Sequence, residues 1–331
     1  MISSILKLSR FAVLMSLGCL VAACNSGSPL HTPLTAVANI QLPRDTTTAV
    51  VDLLTLDSRV ERLYVSHTSN DSLDIVDLRS RKVEATVGGL VAIKSIALTK
   101  NPDIVFTADA DGTVGVVDVA KRQVVNRIDV GGGPDASDYD PVHDIVAVSL
   151  SRVKEVALID ASAQKVVARV KLPGDPELFA VDSQAGQFYL AIHSLDEVVV
   201  IDPVSYSITT TFKGCDIKAP TGLAIDTAQG KLFVADSGAI LSIIDVVLDR
   251  CLGSVDIGHG TDQIAFNPHT RHVYTADGGS RYVSVIDSPT MKPLGVNGTG
   301  PSASTIAVDP TTDTIYIAVK RPGIIAVYHD P

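Results

Sequence analysis

The 331-residue chain has no tryptophan, and aromatic residues make up only 5% of it. Sites that grip bases or sugars by stacking depend on such rings, so their scarcity argues against both. Basic residues are few as well, 27 Lys and Arg against 37 Asp and Glu. A chain of that balance repels phosphate backbones, and no local basic cluster offsets it, which sets nucleic acid aside as a partner. Cysteine is limited to Cys19, Cys24, Cys215 and Cys251. None is spaced as Cys-x-x-Cys or Cys-x-x-Cys-His, so zinc-ribbon, dithiol redox and covalent haem sites have no scaffold. A His-Glu-x-x-His helix, a nucleophile elbow and a phosphate-cradling loop are missing too. The run Gly131-Gly132-Gly133-Pro134 leads into a strand pattern, not the helix that phosphate binding uses.

Long apolar runs are also missing, with one exception near the start. Residues 1–23 carry Lys7, Arg10 and no acid, followed by the apolar stretch FAVLMSLGCLV. That stretch is too short to span a bilayer and has the build of an export signal. Its end, Leu20-Val21-Ala22-Ala23-Cys24, resembles the bacterial lipobox, in which cleavage precedes the cysteine and the cysteine is acylated. The plainer alternative is an ordinary signal peptide cut after Ala23. Losing Lys7 and Arg10 leaves 27 − 2 = 25 basic residues against 37 acidic, a net charge of −12. The lipobox reading puts the mature chain at a bacterial cell envelope, with Cys24 anchoring it to a membrane through acyl chains. Residues 24–34 then form a flexible tether.

What the chain does have is a repeat. The units RLYVSHTSNDSLDIVD (62–77), IVFTADADGTVGVVD (104–118) and IVAVSLSRVKEVALID (145–160) each hold an apolar strand, a turn and a second strand ending in Asp. Further copies follow at 187–202, 232–245, 272–287 and 314–330. The terminal acids Asp77, Asp118, Asp160, Asp202, Asp245 and Asp287 recur every 41 to 43 residues. A period near 42 with several β-branched strands per copy marks a β-propeller, one blade per repeat. The runs are too short and too rich in Val and Ile for a helical solenoid. A second marker agrees: Asp57, Asn101, Asp140, Asp182, Asp226, Asn267 and Asp309 each end a short strand ahead of a copy. Such side chains fix a turn by bonding the backbone two residues on.

Each blade therefore reads as inner strand A, strand B, strand C and outer strand D. The last copy lacks strand D, and residues 35–42, TAVANIQL, are placed to supply it. The expected fold is all-β: a seven-bladed propeller of four-stranded blades over residues 35–331, its N-terminal strand closing the last blade and removing free edges.

These copies resemble the YVTN family of β-propeller repeats. Tyr64-Val65-Ser66-His67 is the nearest version of its naming motif, and the matching strand VSVID stands at 283–287. The stretch from Cys215, CDIKAPTGLAIDTAQGKLFVADSGAILSIIDV, resembles the periplasmic branch. That branch often has a cysteine where this chain has Asp236, so a family disulfide using that position cannot form here.

The resemblance implies a ligand site at the channel mouth, on the face shared by the B–C and D–A connections. The B–C side then carries His67, Asp109, His193, Asp236 and Asp277, and the D–A side Asp135, Asp175, Glu177, His259 and Asp262. Converging carboxylates would suit Ca²⁺, and imidazoles among them Zn²⁺. A metal there would polarise an ester or activate water. The opposing reading is structural. Asp109, Asp236 and Asp277 each follow Ala at one place in the repeat, where a residue of this type caps a turn. DADG (109–112) lacks the spaced acids and distal Glu of a calcium loop and reads as a hairpin turn. His143, His269 and His272 fall in A–B turns on the opposite face.

Cys215 and Cys251 remain in a compartment that permits disulfides. By register, Cys215 follows strand D of blade 4 on the ligand face, while Cys251 opens strand D of blade 5 at the opposite edge. A bridge needs Cα atoms within about 7 Å, so the two are expected to be unpaired.

Together these features describe a monomeric, membrane-anchored propeller acting as a non-catalytic binding or scaffold module. Its partner is an envelope protein or a small molecule, and it needs no cofactor beyond a candidate Ca²⁺ or Zn²⁺. The alternative is a metal-dependent lactonase or hydrolase at the funnel. A third reading is a subunit resembling the propellers of periplasmic cofactor oxidoreductases.

Overall fold

Seven separate four-stranded antiparallel sheets form in the computed structural model, which describes residues 32–43 and 50–331. The expected export signal, Cys24 and most of the expected tether lie outside the described residues. Blade 1 comprises Val51–Asp57, Arg62–His67, Ser72–Asp77 and Lys82–Gly88. Blade 7 combines Thr305–Asp309, Thr314–Val319 and Ile324–His329 with Thr35–Gln41, which pairs antiparallel with Ile324–His329. Inner strands of successive blades pack side by side, and that of blade 7 packs on that of blade 1, so the ring is closed. Among the described residues no helix is long and apolar enough to cross a membrane.

Both repeat markers are turn-formers. Asp57, Asn101, Asp140, Asp182, Asp226, Asn267 and Asp309 each accept a backbone N–H two or three residues on, fixing every A–B turn. The acids that end strand C do the same for the C–D turns, as Asp77 with the Ser80 N–H and Asp245 with the Leu248 N–H. Strands B and C lie between two neighbouring blades and are buried on both faces, which is why their sequences run continuously apolar. Seven apolar clusters result, each shared by two successive blades. Strand D is mostly exposed and buries its sixth residue: Val87, Ile128, Val170, Phe212, Val255 and, in the closing strand, Ile40. Blade 6 has Asn297 at that place. Its side chain bonds both the N–H and the carbonyl of Leu34, at 2.9 and 2.7 Å, and so fixes the start of the closing strand.

One expectation is overturned. Cys215 and Cys251 are joined in a disulfide, with Cα atoms 5.2 Å apart. Within its own blade each cysteine has the place its register gave it. The chain leaving blade 4, however, does not stay at the upper edge; it lies along the outer strand Arg250–Asp256 of blade 5, where Asp216 accepts the Ser254 hydroxyl at 2.8 Å. Twist carries the end of one outer strand across the next blade, a relation that counting residues inside a blade does not contain.

Candidate functional site

One register position dominates the channel mouth. The second residue of the inner strand is Asp52 in blade 1, Asp135 in blade 3, Glu177 in blade 4 and Asp262 in blade 6. Lys94, just ahead of Ser95–Leu98 in blade 2, holds the equivalent place. These five side chains, with Leu53 and Leu178 beneath them, line a cavity of about 190 Å³. Asp135, Glu177 and Asp262 therefore stand on strands that face the channel, not on the D–A loops, and they do converge. Asp52 and Lys94 complete the set and were not singled out from the sequence. The signal was there for Asp52, which lies five residues before the turn-forming Asp57, as Asp135, Glu177 and Asp262 lie before Asp140, Asp182 and Asn267. Lys94 escapes that count because blade 2 has a longer stretch before Asn101.

The mouth is electrostatically unbalanced. Lys94 Nζ is 2.9 Å from Asp52 Oδ2. Burial works to lower the Lys94 pKa, but the adjacent Asp52 overrides it and the net shift is upward. Burial pushes Glu177 up to about 7, helped by the charges of Asp135, Asp262 and Asp52. It takes Asp262 to about 6, again with Asp52 adding and Lys320 opposing. Asp135 is raised by burial and partly held down by Lys94. A single paired lysine does not neutralise four carboxylates held together.

The other candidates lie elsewhere and serve their own blades. His67 is fully buried with Nδ1 2.8 Å from Asp74, which in turn accepts the Thr86 hydroxyl. Asp277 is buried and accepts from the Gly258 N–H, the Thr261 hydroxyl and the Ser284 hydroxyl. Asp236 caps its turn through the Ile240 N–H at 2.9 Å. Asp109 is buried beside Thr107 and Arg127, and burial outweighs both to raise it to about 7. His193 opens a short 3-10 turn and its backbone N–H is bound to the Asp175 carbonyl, while the Asp175 carboxylate pairs with Lys154. His259 is exposed. On the opposite face His143 bonds Asp140 and His269 bonds Asp313. His272 is not a plain surface residue: its ring is 2.6 Å from Asp330 and is half-covered on blade 6. Among the described residues no group of three or more His, Cys, Asp or Glu side chains is arranged to hold a metal ion.

Comparison with known proteins supports the architecture and stops there. The chain is similar in structure to a chain of the hydrazine synthase of Kuenenia stuttgartiensis, with a TM-score of 0.76 over 86% of this chain and 96% of that one. At 16% identity this likeness shows a shared propeller fold alone. No protein-family model matches the chain. No curated protein matches it in sequence.

Proposed function

We propose that this chain is an exported, lipid-anchored propeller, akin to the YVTN-repeat proteins it resembles, that works as a non-catalytic binding module. Its ligand face is the acidic channel mouth, and its ligand carries positive charge there. The observation that carries this reading is the convergence of Asp52, Asp135, Glu177 and Asp262 from four blades on one opening, with Lys94 alone among them. Two of those acids are pushed towards neutrality by burial and mutual repulsion, a cost that a bound cation relieves. Calorimetric titration with butylamine, arginine amide, CaCl₂ and MgCl₂ tests it. Binding of at least one, weakened tenfold or more by Glu177→Gln with Asp262→Asn, is expected. A chain that binds none of them sinks the reading.

The hydrolase reading has one observation in its favour. Glu177, held near about 7, has the pKa of a general acid or base at neutral pH. Elemental analysis of the purified protein and a lactone and ester screen separate the two. Turnover abolished by Glu177→Gln would replace the binding reading with the enzymatic one.

A further inference from the structure

The three most exposed large apolar side chains among the described residues share two neighbouring turns. Val247 is 77% exposed, Val204 63% and Leu248 62%, and Tyr206, in the same turn as Val204, is 45% exposed. These are the C–D turns of blades 4 and 5, residues 203–206 and 246–249, and Asp249 is the one acid in them. Turn formation does not call for apolar side chains there. Leu248 donates its N–H to Asp245 as Ser80, Lys121, Ala163 and Thr290 do to the acids of their own turns. Bulky apolar residues held in water at two adjacent turn tips point to a surface that is covered in use.

On blades 1 to 3 the same edge of the ring is basic. Arg81, Lys82, Arg122 and Lys165 are exposed there, gathered from three blades rather than from one run of sequence. Among the described residues no acid pairs with their side chains. The acids that form these turns, Asp77, Asp118 and Asp160, are turned onto backbone N–H groups, and Asp118 also holds Lys121. An apolar sector beside a basic one suits the boundary of an anionic bilayer, where apolar side chains enter the headgroup layer and cations meet phosphate.

The chain enters the fold at this edge as well. Blade 7 has no C–D turn: its strand C ends at His329, which pairs with Thr314 on one side and with Thr35, the first residue of the closing strand, on the other. Thr35 thus starts at the corner where the other blades carry their C–D turns, and Asn297 fixes Leu34 just before it. Cys24 is ten residues from Leu34, at most about 36 Å of extended chain. The acidic mouth is at the other end of the blades. Asp57, at the far end of the strand from Asp52, pairs with Arg62, and Arg62 pairs with Asp77, which opens a C–D turn.

We propose that the C–D edge of the ring docks on the bilayer that holds Cys24. Val204, Tyr206, Val247 and Leu248 enter the headgroup layer, and Arg81, Lys82, Arg122 and Lys165 meet anionic phosphates. This rests on the lipid-anchor reading and adds the orientation: the acidic mouth opens away from the membrane. A second copy of the chain seated on blades 4 and 5 would cover the apolar turns but has no use for a basic sector on three other blades.

The chain has no tryptophan, so a single introduced one reports alone. Val247→Trp and Tyr206→Trp place it on the apolar turns, and Val153→Trp places it at a half-exposed position in a B–C turn on the opposite face. Each full-length acylated chain is added to vesicles of phosphatidylethanolamine and phosphatidylglycerol, with and without brominated acyl chains. Brominated lipid is expected to reduce emission roughly twofold or more at both C–D positions and to leave Val153→Trp unchanged. Chains that float with the vesicles yet show no loss at either C–D position overturn the docking and leave the anchor standing. Equal loss at all three positions overturns it too, because the ring then has no preferred face. Blue-shifted emission at the C–D positions that brominated lipid does not quench overturns it in favour of a protein partner such as a second copy. Chains that do not float with the vesicles remove the anchor reading along with this one.

Discussion

The side-chain amide of Gln263, on the inner strand of blade 6, donates to the Leu54 carbonyl of blade 1 at 3.1 Å, reaching past blade 7 to do so. Its oxygen accepts the Ile306 N–H at 3.0 Å and the Thr305 hydroxyl of the blade it crosses. Blade 7 has a shorter inner strand than blade 1 or 6, Thr305–Asp309, and Gln263 supplies bonds where that strand falls short. It is a clasp at the point where the two chain ends meet. Replacing Gln263 with Ala leaves these partly buried groups without a partner, so a loss of about 2 kcal/mol in urea unfolding is expected. An unchanged midpoint and slope would show that the clasp adds nothing to closure.

The Cys215–Cys251 bridge closes a separation of 36 residues and ties blade 4 to blade 5. By the chain-entropy argument, Cys251→Ala costs roughly 3 to 4 kcal/mol. A non-reducing peptide map should show the two cysteine peptides linked, and reduction should lower the thermal midpoint of the wild type but not of the variant. Separate peptides in unreduced protein would restore the unpaired expectation.

Asp109 carries a pH signature. Burial raises its pKa from 3.8 to about 7, so the folded chain keeps this proton to a higher pH than the unfolded chain does. The site's contribution to stability is complete below about pH 4 and is lost as pH rises through about 7. Asp109→Asn removes the ionisation at little structural cost, because an amide keeps the carboxyl's shape and an oxygen acceptor, and the Arg127 guanidinium is 3.6 Å away on a partly exposed side chain. The variant should melt several degrees above wild type at pH 8 and together with it at pH 4. A gap of equal size at both values would rule out ionisation as the cause.

Anchoring depends on Cys24 in the reading proposed above. Growth with labelled palmitate should label the protein, and Cys24→Ser should abolish the label and move the chain from the membrane fraction to the soluble one. Continued labelling of the variant would put the acyl group at another residue, and a wild type that is never labelled would leave only the plain signal peptide.

The ring was legible in the sequence because its determinants are local and repeated. Asp57 and Asp77 act on backbone two to three residues away, and seven near-copies of such turns announce themselves as a period. Burial of strands B and C between blades writes itself as unbroken Val and Ile runs, and the missing outer strand of blade 7 can be counted and assigned to residues 35–41. The mouth was half legible. Asp135, Glu177 and Asp262 were singled out by their approximate position, but His67 and Asp277 had the same chemistry and turned out to serve their own blades. Whether a carboxylate caps a turn or faces the channel depends on which of two alternating directions its Cβ takes, and a one-residue change of register reverses it. Two features belonged to tertiary structure alone. The stagger between blades brought Cys215 to Cys251, and ring closure set Asp52, Lys94 and Asp262 around one channel from residues far apart in the chain. Period and turn chemistry act along the chain, whereas stagger and convergence arise only when twisted blades pack against one another, so the sequence by itself determined the blades and the fold determined what faces the axis.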